Sequence, residues 1–384
     1  MTTPSKHELT REVLPRYLQA TKAEKTQILN EFRVNTGYHR KYAIQKLRDF
    51  QRRTPAEREN RPRKGRKTTY GPDCLPPLKA IWEFLEYPCG ERLQPYLAEI
   101  LPKLEAAGFL HVGPDVRKKL LAMSARTMDR LLKNVRKVRR RRIQATTKPG
   151  TLLQHEIPVR HEPWPAETVP GYLELDLVAH CGETNAGDDV STLTVTDIAT
   201  GWTEHGAVLG KSQRHTIQML EEIAARLPFP LCGIDPDNDG QFINWHLKGW
   251  CDARGIQFTR SRAYKKNDNA HVEQKNWSTV RQVLGYKRFD APEELRLIQA
   301  LYAGPLRDWQ NFFQPTLKLK EKVRVGARLI KRHDRAQTPY QRVLASPHVS
   351  EERKEPLRQS YAQLNPVSVK RETGAILKRL FSLH

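Results

Sequence analysis

Tyr172-Leu173-Glu174-Leu175-Asp176-Leu177-Val178-Ala179 decides how the rest of the chain is read. Leucines at 173, 175 and 177 alternate with Glu174 and Asp176, the period-two pattern of a strand whose two faces differ. Two similar runs follow, STLTVTDI at 191–198 and WTEHGAVL at 202–209, so three successive strands are expected. A helix is expected at about 212–227, with Ile217, Leu220, Ile223 and Ala224 on one side. A short strand at 231–235, a helix at 242–254 and a strand at 256–259 come next, and a basic loop leads to a helix at about 269–284. Three strands followed by alternating helix and strand describe a layered α/β domain.

The chain has 384 residues, enough for about two to four domains. Its charge is segregated. Residues 1–150 carry 34 basic and 15 acidic side chains, residues 151–300 carry 15 and 21, and residues 301–384 carry 17 and 7. Basic flanks suit a polyanion, since each neutralised phosphate releases counterions. An acidic centre repels the same polymer unless its carboxylates carry cations. The five cysteines include no CxxC pair, so no disulfide framework is expected. No apolar run approaches the roughly 20 residues of a bilayer span, and the polar start MTTPSKHE does not read as a signal peptide. A secreted or integral membrane protein is therefore not expected.

Upstream of the strands, residues 10–50 read as three helices. Val13, Leu14, Tyr17 and Leu18 form one apolar stripe, and Ile28, Leu29 and Phe32 a second. Thr36-Gly37 breaks the pattern, and the next helix turns Ala43, Ile44 and Leu47 inward and Lys41, Gln45 and Arg48 outward. Both a DNA-reading helix-turn-helix and an ordinary helical bundle fit this pattern. Residues 52–72 read as a basic linker, and Arg61-Pro62-Arg63-Lys64-Gly65-Arg66-Lys67 suits either a minor-groove arm or a solvated tether. Helices resume at 75–87, 91–107 and about 115–121. Ser124 is placed to cap a helix from 125 to about 138, with Met128, Leu131, Leu132 and Val135 towards a core and Arg126, Arg130, Lys133 and Lys137 on the other face. That face suits phosphates and base edges, or solvent alone. The expected segments are thus helix-turn-helix 1–51, linker 52–72, a second helical DNA-binding segment 73–138, linker 139–168, the α/β core 169–300, and a basic region 301–384. In that last region the sequence indicates only closing helices within 355–383.

Three carboxylates of the acidic centre stand out. Asp176 lies inside a strand, where burial is costly unless the group is paired or bound to a cation. Glu174 shares its face and is its rival, and an exposed edge strand would carry both acids without consequence. Asp237 lies past the short fourth strand in Gly233-Ile234-Asp235-Pro236-Asp237-Asn238-Asp239-Gly240, at a strand end of the kind where ligands collect. The same run imitates a calcium loop, but its twelfth position is His246 rather than Glu and no helix precedes it. Glu273 lies near the start of the last helix, in Asn269-Ala270-His271-Val272-Glu273-Gln274-Lys275-Asn276.

Asp176 in the first strand, Asp237 before an Asn-containing turn, and Glu273 after 35 intervening residues resemble the DDE core of retroviral integrases and insertion-sequence transposases. The run from Arg262 to Trp277, Val280-Arg281, Gly285-Tyr286 and Asn311-Phe312-Phe313-Gln314-Pro315 resemble the integrase-core transposases of bacterial mobile elements. The resemblance covers roughly residues 170–345 and implies a ribonuclease H-like catalytic core. It implies metal-dependent cleavage of strand ends and their transfer into target DNA, with Asp176, Asp237 and Glu273 holding two Mg²⁺ ions, or Mn²⁺ in their place. It also implies double-stranded DNA as partner (terminal repeats and target), a dimer or larger assembly on that DNA, and a cytoplasmic, nucleoid-associated site of action. Arg260, Arg262, Lys265, Lys266, Lys275 and Arg281 either hold the DNA backbone near the metals or form a merely solvated basic stretch. Asp239 intervenes where the family has Asp-Asn-Gly directly, and Asp235 offers a neighbouring carboxylate. Cys74 and Cys89 lack partners at zinc-ligand spacing, so no structural zinc is expected. A nuclease that cuts without joining, and a DNA-binding repressor with an inactive core, are the competing readings.

Overall fold

The computed structural model describes residues 1–52, 69–135, 168–184, 186–210, 212–236, 242, 244–259 and 270–384. They belong to two compact units, Met1–Thr68 and Thr69–His384. In the first, helices α1 (Thr3–Gln19), α2 (Lys22–Thr36) and α3 (Arg40–Gln51) each pack on the other two. Leu14, Leu29, Phe32, Ala43, Leu47 and Phe50 form their core. Local chemistry sets the boundaries. The Thr21 backbone N–H donates to the Glu24 carboxylate at 2.7 Å, starting α2. Gly37 ends it at φ 70°, a conformation that strains any residue with a Cβ. The first helix begins at Thr3 rather than near 10, because Thr2 caps it and a proline sits in its first turn.

The second unit is built on a five-stranded sheet in the order β3-β2-β1-β4-β5. Strand β2 (Val190–Asp197) runs antiparallel to both β1 (Tyr172–Ala179) and β3 (Thr203–Leu209). Strands β4 (Gly233–Pro236) and β5 (Gln257–Phe258) continue parallel to β1. This is a mixed sheet. It makes β1 the central strand, so Glu174 and Asp176 do not lie on an exposed edge.

The period-two pattern resolves into two unlike faces. Leu173, Leu175, Leu193 and Val195 join Met219, Leu220, Ile223 and Leu247 in the core beneath the helices Gln213–Arg226 and Trp245–Asp252. The opposite face carries Glu174, Asp176, Thr192 and Thr194 and is covered from residue 270 onward. Several buried polar groups there are linked in hydrogen-bonded chains. His180 shares a hydrogen bond with Thr192 (2.8 Å), which shares one with the Tyr302 hydroxyl (2.7 Å). His205 bonds Thr194 through Nδ1 (3.1 Å), and its Nε2 meets Gln310 (3.1 Å) and Thr279 (2.9 Å).

Burial pushes both imidazoles down to about 3. Each is neutral in the fold, whereas the unfolded chain protonates it near 6.5. Below 6.5 the unfolded state therefore binds more protons, and stability falls as pH drops from about 6.5 towards 3. Asp197, raised to about 6 by burial, acts in the opposite sense between 6 and its ordinary 3.8, one carboxyl against two histidines. Urea unfolding should thus show a lower midpoint at mildly acid than at neutral pH, and His205→Gln should flatten that dependence. An unchanged pH slope in the variant would refute the assignment.

The helical segment expected at 73–138 and the region 301–384 do not form separate packing units. Leu78, Ile81, Leu97, Leu101, Met128 and Leu132 lie in one hydrophobic cluster with Trp309, Phe312, Phe313, Tyr340 and Val369 and with the sheet. Tyr96 donates to the Phe312 carbonyl at 3.3 Å, Lys103 to the Tyr361 carbonyl at 3.1 Å, and Gln314 to the Leu85 carbonyl at 3.3 Å. Glu99 accepts from both Gln341 and Tyr361. Periodicity marks the apolar face of each helix but not the partner it meets. Beyond residue 301 the chain adds a hairpin, β6 (Leu319–Val325) and β7 (Arg328–His333), and helices at Pro339–Ala345, Glu351–Gln363 and Pro366–Phe381.

Candidate active site

Asp176 projects from the middle of β1 on the polar face and is half-buried. One carboxylate oxygen accepts the Leu177 N–H at 2.8 Å, and the other accepts Asn276 Nδ2 at 2.5 Å. Asn276 is itself buried and opens a π-helical turn, Asn276–Arg281, that continues the helix Ala270–Lys275. Such widened turns recur at functional sites because they redirect one side chain without ending the helix. Glu273 stands one turn earlier on the same helix and is exposed. Residues three apart on a helix are neighbours, so Glu273 stands one turn from the residue that bonds Asp176.

The rival carboxylates have other partners. Glu174 is buried, and its Oε2 accepts the Val272 N–H at 3.1 Å, at the start of the helix that carries Glu273. A carboxylate suits the unpaired N–H groups and partial positive charge of a helix start. Asp235 is fully buried beside Glu174 in the β1–β4 register and accepts the Thr259 hydroxyl at 2.8 Å. That register ends with Leu175 opposite Pro236. Asp237, the next residue in the chain, lies outside the described residues, as do Lys137, Arg260, Arg262, Lys265 and Lys266.

Among the described residues no group of three or more His, Cys, Asp and Glu is arranged to hold a metal. Asp176 and Glu273 supply two carboxylates, neither fully buried, and hard oxygen donors of this kind suit Mg²⁺ or Mn²⁺.

No family model matches the chain. It is 41% identical over 326 residues to "Uncharacterized protein y4rM" of Sinorhizobium fredii (strain NBRC 101917 / NGR234), a match spanning 85% of this chain and 91% of that protein. The chain belongs to the y4rM family. Among solved structures, the catalytic core domain of BIV integrase is similar at a TM-score of 0.32 and 14% identity, over 46% of this chain and 96% of that one.

The expected DNA-facing cations of this y4rM-family chain fall into two sets. Lys41, Gln45 and Arg48 on α3 are exposed, as are Arg126, Arg130 and Lys133, opposite the buried Met128 and Leu132. Ser124 caps the helix Ala125–Leu132, accepting the Thr127 N–H at 3.3 Å. That helix is shorter than the pattern over 125–138 suggests, tightening into a 3₁₀ turn at Lys133–Val135. Lys275 and Arg281 lie deeper. Lys275 is half-buried, and that burial, with the Arg92 guanidinium nearby, lowers its pKa to about 8. Arg281 donates to the Ala179 carbonyl at 3.1 Å and lies over the Tyr286 ring, 4.9 Å from its centre. Its guanidinium ties the helix to the end of β1.

Asn276 was the residue to look for in the sequence. It sits three positions after Glu273, one turn along the same helix. Asn276→Ala removes the donor that orients Asp176. A reaction in which Asp176 holds a metal ion should slow roughly 10- to 100-fold, as for lost outer-shell partners of metal ligands. Wild-type turnover in this variant would show that Asp176 needs no such support.

Proposed function

We propose that the chain is a DDE-type polynucleotidyl transferase, the transposase of a mobile element, which cuts DNA strand ends and joins them to target DNA. One observation carries this reading. Asp176, on the central strand of the mixed sheet, is held by Asn276 one turn from Glu273, on a helix whose start is held by Glu174. Asp176, Asp237 and Glu273 would hold the two divalent ions. When bound, those ions supply an activated oxygen nucleophile and steady the departing oxygen. Asn276 keeps the Asp176 carboxylate in one rotamer, and Glu174 keeps the Glu273 helix at one height over the sheet. The exposed cations of α3 and of the helix Ala125–Leu132 fit duplex DNA, and joining two element ends calls for at least two copies of the chain.

The test is a strand-transfer assay with labelled duplexes taken from the DNA flanking its coding sequence. Joined products in Mg²⁺ or Mn²⁺, lost with chelator, are expected. Cut but unjoined strands would mean a nuclease instead. Tight binding with neither product would mean a repressor.

A further inference from the structure

We propose that the ribbon β6–β7 is a DNA-docking blade that seats in the major groove of B-form duplex, a role distinct from that of the helical segments. Residues 319–333 carry six Lys and Arg against a single acid, Glu321, which pairs with Arg332 at 3.1 Å. Every residue of the hairpin is exposed except the half-buried Val323. Register sets the faces, because directly opposed residues point the same way. Lys322 faces Lys331 and Arg324 faces Leu329 on one side; Val323 faces Ile330 and Val325 faces Arg328 on the other. Cations therefore occupy both faces, and one like-charge pair sits directly opposed, an arrangement that costs stability in the free protein.

The ribbon is held at its base. Lys318 donates from Nζ to the Ala199 carbonyl at 2.7 Å and from its N–H to Asp334 at 2.7 Å. Asp334 pairs with Arg342, whose guanidinium also donates to the Thr316 carbonyl at 2.9 Å. A two-stranded hairpin is marginal alone in water; this one projects from a fixed mount. A planar membrane would favour cations on one face and apolar residues on the other. Cations on both faces, with Val325, Leu329 and Ile330 exposed near the tip, fit a channel walled by phosphate. The B-form major groove admits a two-stranded ribbon, whereas the deep, narrow groove of A-form RNA does not. Duplex DNA is thus the partner. The inference shares that partner with the proposed function but needs no strand transfer, so a chain that binds DNA and joins nothing would leave it standing.

The experiment compares the full chain with two double variants, Lys322→Gln with Lys331→Gln and Arg324→Gln with Arg328→Gln. Affinity for a duplex of about three helical turns is measured between about 50 and 200 mM salt. Each double variant should bind at least about tenfold more weakly at the low-salt end, with the log–log salt slope shallower by about 1.8, or 0.9 per lost contact. The Lys322/Lys331 variant should melt no lower than wild type, since it removes a repulsion, so weaker binding there is not misfolding. Unchanged affinity and slope would overturn the proposal, whether or not the variants self-associate. So would an equal loss on double-stranded RNA of the same length, or a loss confined to phosphatidylserine vesicles.

Discussion

Asp176→Asn is expected to reduce strand cleavage and joining by roughly 10³-fold or more while DNA affinity stays within about twofold. The substitution keeps shape and one acceptor oxygen, enough for the Asn276 hydrogen bond at the expense of the one from the Leu177 N–H. What is lost is negative charge at the point where Asp176 would grip a cation. Glu273→Gln should behave alike, because Glu273 is exposed and removing its charge disturbs no packing. Glu174 provides the contrast. Glu174→Gln retains an oxygen for the Val272 N–H and should keep activity within about tenfold, whereas Glu174→Ala frees the helix start and should lose far more. Measuring single-turnover cleavage beside DNA affinity separates the two acids. Full activity in Asp176→Asn, or an inert Glu174→Gln beside an active Glu273→Gln, would overturn the assignment.

Glu204→Ala is expected to be the most destabilising single change in the sheet. Glu204 is fully buried on β3 and accepts Arg307 at 2.7 Å, Trp202 Nε1 at 2.9 Å and Arg226 at 3.3 Å. Truncation leaves two mostly buried guanidiniums without their counter-charge, and breaking one partner of such a pair costs about 3–5 kcal/mol. A fall in melting temperature on the order of 10 °C should follow. Glu204→Gln, which keeps shape and one acceptor oxygen, should recover part of it. The damage should also reach the site, since the adjacent His205 bonds Thr279 on the helix behind Glu273. A melting temperature within about 2 °C of wild type would show that the cluster contributes little net stability.

Much of the fold was legible because its signals are local. Alternation over 172–179 announced β1 and its two faces before any neighbour was known. Gly37 and Ser124 marked helix ends by their own backbone chemistry, and the strand and helix bounds over 172–284 differ from the sequence reading by a few residues at most. The hairpin went unread because its alternating positions are filled by Lys and Arg on both faces, which erases the contrast on which period-two patterns depend.

The sequence by itself determined which residues form the strands and helices over 172–284, which face of each is apolar, and that acids gather in the centre between basic flanks. It did not separate Glu174 from Asp176, since both point to one side of one strand. Only the tertiary structure gave them different partners, by laying a helix from about a hundred residues downstream so that its start covers Glu174 and its Asn276 reaches Asp176. It likewise turned Arg281 into a brace for β1 and drew the helices of 73–138 into the sheet's own core. The physical reason is the same each time. Backbone periodicity is a property of adjacent residues, whereas the partner that buries or bonds a side chain arrives from a distant part of the chain.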